Sequence, residues 1–529
     1  MTTSKRTKQD AVSLGLMREL LESVAEEMAE VCVRTAVSSN IKERRDLSAA
    51  VFDGEGQMVA QAAHIPVHLG AMPLSVRAVI EALDLGPGDV ALLNDPYAGG
   101  THLPDITAVA PLFTPRGRQP VFHVAVRAHH ADVGGQAPGS MAPQDDVFAE
   151  GIRIPPVRWI RAGQVDDGVQ TLLLANMRDR EERLADLEAQ AGALARGLAR
   201  LEEIGAREGG LPSLARRGRS LVSYASRLAA GSLDTLADGE ARAKVDLEVR
   251  GLDGKPATIQ VRLEKRGARL EVDFAGTSGP VRGGLNAPAA VARSAVYYLV
   301  RCLCPPDTPT NDGLLACASV HVPAGSLLAA EPPLAVAGGN VETSQRVVDA
   351  LWLAAARLWP GRWPAPGSGS MSNWTFGPAP GSAPFPTYYE TVPGGAGAGP
   401  QGDGADVVQQ HMTNTRSTPV EVLEVRWPVR VDRMTIRSGS GGRGRHVGGE
   451  GLRKEIRFLA PALVSTLMTR HETPPPGVRG GPPGAPGRLV LLRGDETIVI
   501  GPRARVAVRP GDVLRIETPG GGGYGRPRG

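Results

Sequence analysis

The sequence predicts a mixed α/β protein of the α+β kind, multidomain, with mostly antiparallel sheets, helices packed on them and a β-rich C-terminal region. Three observations predict it. The chain has 529 residues, too many for one hydrophobic core. Apolar residues recur at the helical period over residues 10–38 and 172–230, then switch to a period of two from Ala243. Beyond Val420, short apolar runs alternate with turn residues. The expected division is an N-terminal α/β domain over 1–236, a central α+β domain over 237–420 and a β-rich domain over 421–529, with a seam near 237–243.

In order, Leu14, Met17, Leu20, Leu21, Val24, Met28 and Val31 mark a long amphipathic helix over 10–38. The charge-dense segment 38–48 reads as a solvated loop, or as one presenting Lys42, Arg45 and Asp46 to an anionic ligand. Asp53-Gly54-Glu55-Gly56 turns a hairpin between 49–52 and 58–61. His64 and His68 follow, four apart, with Pro66 between them to exclude a helix interior; they read as ligands, as donors to ligands, or as packed or surface side chains. A helix over 73–83 and a strand over 86–93 lead to the central stretch.

That stretch is 94–135. It opens NDPYAGGTHLPD (94–105) and closes RAHHADVGG (127–135). Between them, the apolar runs 106–113 and 121–128 have strand length, and 115–117 reads as their turn. An antiparallel pair would place His102 and Asp105, at the start of one strand, beside His129, His130 and Asp132 at the end of the other. Imidazoles and a carboxylate converging in this way suit a divalent ion such as manganese, zinc or iron. Adjacent strand residues face opposite ways, so one of His129 and His130 is expected to be a ligand; the residues alone leave open which. The plain reading, turns and a packed histidine, stands beside it. Glu150 is a further carboxylate close in sequence, a ligand, a base or a structural group.

Helices are expected over 172–208 and 214–230, then an antiparallel meander over 244–250, 259–264 and 270–274, and a helix over 286–302. Glycines at 338–339 open a helix over 344–358, as an anion-binding turn or simply a tight one. The glycine-rich segments 367–377 and 391–406 are expected to lack regular structure. Short strands at 423–431, 453–459, 489–492, 506–508 and 513–518 complete the C-terminal region, and 518–525 reads by composition as a flexible tail.

Composition narrows the function classes. With 42% hydrophobic and 22% charged residues, this is an ordinary globular sequence. A net charge of +3 without a basic stripe gives no case for nucleic acid. The 4 cysteines show neither zinc-finger spacing nor a paired framework, which suits a reducing compartment. No apolar run approaches the roughly eighteen residues of a membrane span, and the polar N-terminus is no signal peptide, so a cytoplasmic location is expected. Phosphate-binding loop, dinucleotide fingerprint and nucleophile elbow are all missing, so no nucleotide site is expected here.

Several motifs resemble the hydantoinase B/oxoprolinase family: SSNIKERRD (38–46), HIPVHLG (64–70), the two central segments, GGNVETSQ (338–345), HMTNT (411–415) and PGGGGYG (519–525). They run in order from about residue 10 to the end. The resemblance implies a B-type subunit of an ATP-dependent hydantoinase or 5-oxoprolinase. An A-type partner would bind ATP and phosphorylate the carbonyl oxygen of a small cyclic amide, and this chain would complete the ring opening, in a hetero-oligomer. By similarity to the metal-holding subunit of acetone carboxylase, it implies His102, Asp105 and His130 as metal ligands, with His129 kept open. Asp132 or Glu150 would take the proton, and Lys42, Arg45, Asp46, His68 and Asn340 would hold the substrate. The alternatives are the metal-holding subunit of a related carboxylase and a scaffold subunit without catalysis.

Overall fold

A seven-stranded antiparallel sheet carries the central stretch. The computed structural model describes residues 2–62 and 64–527. In it β1 (Leu47–Asp53), β2 (Met58–Gln61), β3 (Val90–Leu93), β4 (Asp105–Phe113), β5 (Pro120–His129), β6 (Val157–Arg161) and β7 (Gln164–Val165) align in the order β2-β1-β5-β4-β3-β6-β7. The two apolar runs do form adjacent antiparallel strands, with Asp105 opposite His129 and Thr107 opposite Arg127. Both faces are covered. Ala49 and Val51 of β1 join one core, and Ala50 and Phe52 join another. Burial on two sides explains why these strands read as continuous apolar runs rather than as alternation.

One face packs on helices. These are α1 (Thr2–Thr35), which precedes the short α2 (Ser39–Lys42), and α5 (Arg180–Arg207) and α6 (Leu211–Asp234), which follow α3 (Met72–Ala82) and α4 (Asp167–Ala175). α1 begins well before the expected residue 10, because the polar N-terminal run contains no breaker and apolar period marks only a helix's packed part. The single helix expected over 172–208 is two: α4 ends at Ala175, and Asp179, at φ 53°, turns the chain into α5.

The other face meets α3 and a second sheet, β11-β10-β9-β8, of β8 (Gly239–Arg250), β9 (Pro256–Arg266), β10 (Arg269–Asp273) and β11 (Ala318–His321). The meander is antiparallel as expected, with β11 added parallel to β10. α7 (Ala289–Leu303) and α8 (Ser344–Leu358) pack in the same core. A one-turn π-helix, Gly339–Thr343, precedes α8 where a glycine turn is expected.

The C-terminal region holds β12 (Asn373–Pro378), β13 (Tyr388–Thr391), α9 (Val420–Arg426), β14 (Val429–Arg437), β15 (Gly451–Phe458), β16 (Ala462–Leu467), β17 (Arg488–Arg493), β18 (Glu496–Val499), β19 (Arg503–Val508) and β20 (Val513–Glu517). They form two sheets, β13-β12-β16-β19 and β14-β15-β20-β17-β18. The expected strand at 423 starts later, since Val420–Arg426 is helical and only Leu423 of that helix is buried.

The expected flexible tail is instead an interior element. Residues 519–523 are buried. Gly395 N–H donates to the Pro519 carbonyl (3.0 Å), Gly442 N–H to Gly521 (2.8 Å), Gly521 N–H to Gly449 (2.8 Å), and Gly522 N–H to Pro366 (2.9 Å). Extended glycine segments therefore bond to one another outside any β-ladder. A Cβ on Gly521 would lie 1.8 Å from the Ala396 carbonyl oxygen, so only glycine allows the approach. Composition suggests mobility, but it cannot register this packing, whose surface is all main chain.

Candidate active site

The end of the β4–β5 pair is polar on one face. Even-numbered residues of β5 from Phe122 to Ala128 enter the helix-side core, whereas Arg127 and His129 face the other way with Thr107 and Asp105 of β4. Arg127 donates to the Thr107 hydroxyl (2.8 Å) and the Ser75 hydroxyl (2.7 Å), which locks this face. A left-handed turn at Gly99, φ 87°, then swings Thr101 and His102 under the start of β4; a side chain there would meet the Leu74 backbone at 2.6 Å.

Asp105 is the hub. Its Oδ2 receives the Thr101 hydroxyl at 2.5 Å and lies 3.2 Å from Nε2 of both His68 and His102. Its Oδ1 is buried and has no hydrogen-bond partner among the described residues. Burial would raise the carboxyl, but the flanking His102 and His68 and their hydrogen bonds outweigh it and hold Asp105 well below the usual range. His68 in turn meets the Ser48 hydroxyl through Nδ1 at 2.8 Å, and burial lowers its basicity.

His102 and His129 stand with ring centroids 5.0 Å apart. His129 stacks on Tyr389 at 4.4 Å, and the Arg44 guanidinium lies over the Tyr389 ring at 4.8 Å. Asn40, turned inward by α2 and its Ser38 cap, reaches Nδ1 of His129 at 3.1 Å, leaving His129 Nε2 buried without a partner. Burial, then the neighbouring His102, pushes His129 well below the ordinary imidazole range. The π-helix aims Asn340 at His102 Nε2, 3.1 Å away. Among these groups a narrow pocket of about 10 Å³, the room of about one water molecule, is lined by Asp46, Ile65, Val67, His68, Asp105, His129, Asn340, Met412 and Thr413 among others.

The site thus gathers His68, His102, Asp105, His129, Asp46 and Asn340. Burial raises the Asp46 carboxyl to about 6. Other expected residues lie elsewhere. His130 points to the opposite face, where Nε2 meets Gln190 of α5 at 2.9 Å. Asp132 accepts Gly134 and Gly139 N–H groups and the Arg178 guanidinium. Lys42 is exposed, and Arg45 reaches Glu30 on α1. Glu150 accepts the N–H groups of Val336 (3.0 Å) and Ala337 (2.8 Å), so it anchors the approach to the π-helix rather than the cavity. Burial raises Glu150 to about 8.

Asn40, Arg44, Ser48 and Tyr389 escaped the sequence reading. One signal does separate the faces of the histidine pair: His129 shares its phase with Arg127 and His123, the polar set of β5, while His130 shares that of Phe122, Val124, Val126 and Ala128.

No three or more His, Cys, Asp or Glu side chains among the described residues are posed as a ready metal cluster. The donor chemistry nevertheless fits a divalent ion. Two imidazoles, His68 and His129, and two carboxylates, Asp46 and Asp105, line one small cavity, and Asp105 Oδ1, His129 Nε2 and the neighbouring His102 Nδ1 are buried and unspent.

A family model described as hydantoinase B/oxoprolinase matches residues 10–527. Among curated relatives, 5-oxoprolinase 1 of Arabidopsis thaliana is 38% identical over 98% of this chain, which spans only 42% of that protein. A putative B-type subunit of a D-/L-hydantoinase from Pseudomonas sp. (strain NS671) is 28% identical, covering 98% of this chain and 90% of its own length. The crystal structure of the ATP-dependent caprolactamase from Pseudomonas jessenii superposes with a TM-score of 0.89 at 29% identity, over 98% of this chain and 91% of that one. Among the described residues no helix is long and apolar enough to cross a membrane.

Proposed function

The chain belongs to the hydantoinase B/oxoprolinase family, and from that premise we propose that it opens the ring of a cyclic amide whose carbonyl oxygen an A-type partner, subunit or domain, has phosphorylated with ATP. The relatives' names support the amide class. That this chain spans 42% of a 5-oxoprolinase supports a second component for the whole reaction. The observation that carries the reading is the buried His102–Asp105–His129 group with its three unspent donor atoms, His102 Nδ1, Asp105 Oδ1 and His129 Nε2.

An amide carbon resists water. Phosphorylation of its oxygen makes the carbon electrophilic. Water adds there, the C–N bond breaks with its electron pair on nitrogen, nitrogen takes a proton, and hydrolysis of the resulting acyl phosphate releases phosphate. His102, Asp105 and His129 would hold a divalent ion, which when bound supplies Lewis acidity and a more acidic water. The 3.1 Å contact between Asn40 and His129 Nδ1 suits that role: with the amide oxygen turned inward it accepts Nδ1–H and leaves the Nε2 lone pair for the ion. Asn340 meets His102 at the other ring nitrogen, Nε2, and so leaves Nδ1 of that ring free. Thr101 and His68 saturate Oδ2 of Asp105, which aims Oδ1 at the cavity. His68, tied to Ser48, is the group placed to pass a proton between water and the departing nitrogen. Asp132 and Glu150, both engaged by backbone N–H groups, serve the frame.

The test is elemental analysis of the purified chain beside an Asp105→Ala, His129→Ala variant, followed by ATP-dependent opening of 5-oxoproline and hydantoin with the A-type partner. About one manganese, zinc or iron per chain is expected in wild type and none in the folded variant. Metal-free wild type that takes up none of these ions, or ring opening that survives in the variant, refutes the assignment.

A further inference from the structure

The narrow pocket has a wider neighbour. Two of the segments that line it, 64–68 and 411–416, also line the second pocket, and these two are the shared wall. Ile65, Val67, Met412 and Thr413 line the cavity. Ala62, His64, Asn414 and Arg416 line a surface basin of about 300 Å³, completed by Glu26 and Arg45.

The basin is built to receive an anion. Two guanidiniums, Arg45 and Arg416, face one lining carboxylate, Glu26; Glu30 meets Arg45 from the rim at 3.3 Å. Arg416 is exposed and forms no ion pair among the described residues. His64 adds a neutral donor. Its Nδ1 accepts the Ala49 N–H at 3.1 Å, which fixes the hydrogen on Nε2, and burial keeps the ring uncharged. Asn414 adds an amide, held by the His64 carbonyl at 3.3 Å.

The wall is also lightly latched. The hydrogen bonds between its two segments are Val67 N–H to the Met412 carbonyl (3.2 Å) and Asn414 to His64. His411 sits at φ 54°, in the left-handed region that residues other than glycine seldom enter, histidine more readily than most. Past the wall the segment is firmly tied. Arg416 N–H bonds the Arg44 carbonyl at 2.9 Å, and Arg44 belongs to the Tyr389–His129 stack. A cavity with room for one water admits no lactam unless this wall parts.

We propose that the basin of Arg45, His64, Asn414 and Arg416 docks the phosphoryl group of the activated substrate, and that the substrate reaches Asp105 and His129 by separating segments 64–68 and 411–416. For the substrate's identity this rests on the ring-opening reading above; for the anion it rests on the basin alone. The same donors would also take free phosphate, so the test has two arms.

In the first arm, inorganic phosphate is titrated calorimetrically into the full-length chain and into an Arg45→Ala, Arg416→Ala variant, with circular dichroism confirming the fold. Affinity is expected to fall about tenfold or more on loss of two charge-assisted contacts; an unchanged affinity overturns the basin. In the second arm, both proteins are assayed with the A-type partner for rings opened per ATP cleaved. Docking of the substrate predicts that this ratio falls about tenfold or more while ATP cleavage and metal content stay at wild-type levels. A ratio that holds while only inhibition by added phosphate disappears assigns the basin to the released product and overturns substrate docking. If the wild-type complex opens no cyclic amide, the ring-opening reading falls, and the first arm still decides the basin.

Discussion

Replacing Glu150 tests how the site is held. The carboxyl is buried, accepts two backbone N–H groups just before the π-helix, and is raised from 4.5 to about 8. An acid raised in the folded state holds its proton there while the unfolded chain has released it, so stability falls as pH climbs from about 4.5 through about 8. That gap corresponds to about 5 kcal/mol at about 1.4 kcal/mol per pH unit. Glutamine keeps the carbonyl acceptor and cannot ionise. Relative to wild type, Glu150→Gln should therefore match stability near pH 5 and gain progressively, by up to about 5 kcal/mol, above about pH 8. Alanine leaves both N–H groups buried and unpaired, a loss of about 2–6 kcal/mol relative to the glutamine variant at either pH. The assay is thermal and urea unfolding of the three proteins across this range, with other titrating groups cancelling in the differences. A glutamine variant as unstable as the alanine at about pH 5, or a difference from wild type that is flat with pH, refutes the account.

The remaining expectations concern the two histidines, the glycine segments and a buried ion pair. His129→Ala should lose bound metal and lower ring opening by about a hundredfold or more. His130→Ala should keep the metal and destabilise by about 1–3 kcal/mol through the stranded Gln190; the reverse pattern in elemental analysis would exchange their roles. Gly521→Ala, whose Cβ would meet a carbonyl oxygen at 1.8 Å, should yield insoluble or unfolded protein, whereas Gly15→Ala in α1, with nothing within 4 Å, should leave stability unchanged or raise it. Asp349 bridges buried Arg346 at 2.8 Å and Arg470 at 2.7 Å, so Asp349→Ala should destabilise by about 3–5 kcal/mol in denaturant unfolding.

Local order was legible where the chain makes its own context. The β4–β5 pair and its Asp105–His129 end follow from two apolar runs and a turn, because sheet register is fixed by burial. α8 over Ser344–Leu358 follows from its period. Asn40, Arg44 and Tyr389 were not legible. Arg44 sits in a run of charges indistinguishable from solvated neighbours, and it is buried only because β13 and the segment around Thr415 come to it from far along the chain. Asn340 was expected to hold substrate as part of a turn, but the π-helix carries its amide onto His102, an offset of the backbone that side-chain types do not encode.

The buried glycine segment also sets a clock on synthesis. Thr518 bonds the Pro393 carbonyl across 125 residues, and the glycines beside each meet in the same place. On a ribosome adding about 5–20 residues per second, the earlier segment emerges roughly 6–25 s before its partner exists. Throughout that interval, main-chain donors and acceptors that end up sealed inside the molecule stand open to water and to other chains. The region should consequently depend on chaperone protection during synthesis, and become resistant to protease only after the last glycines have emerged.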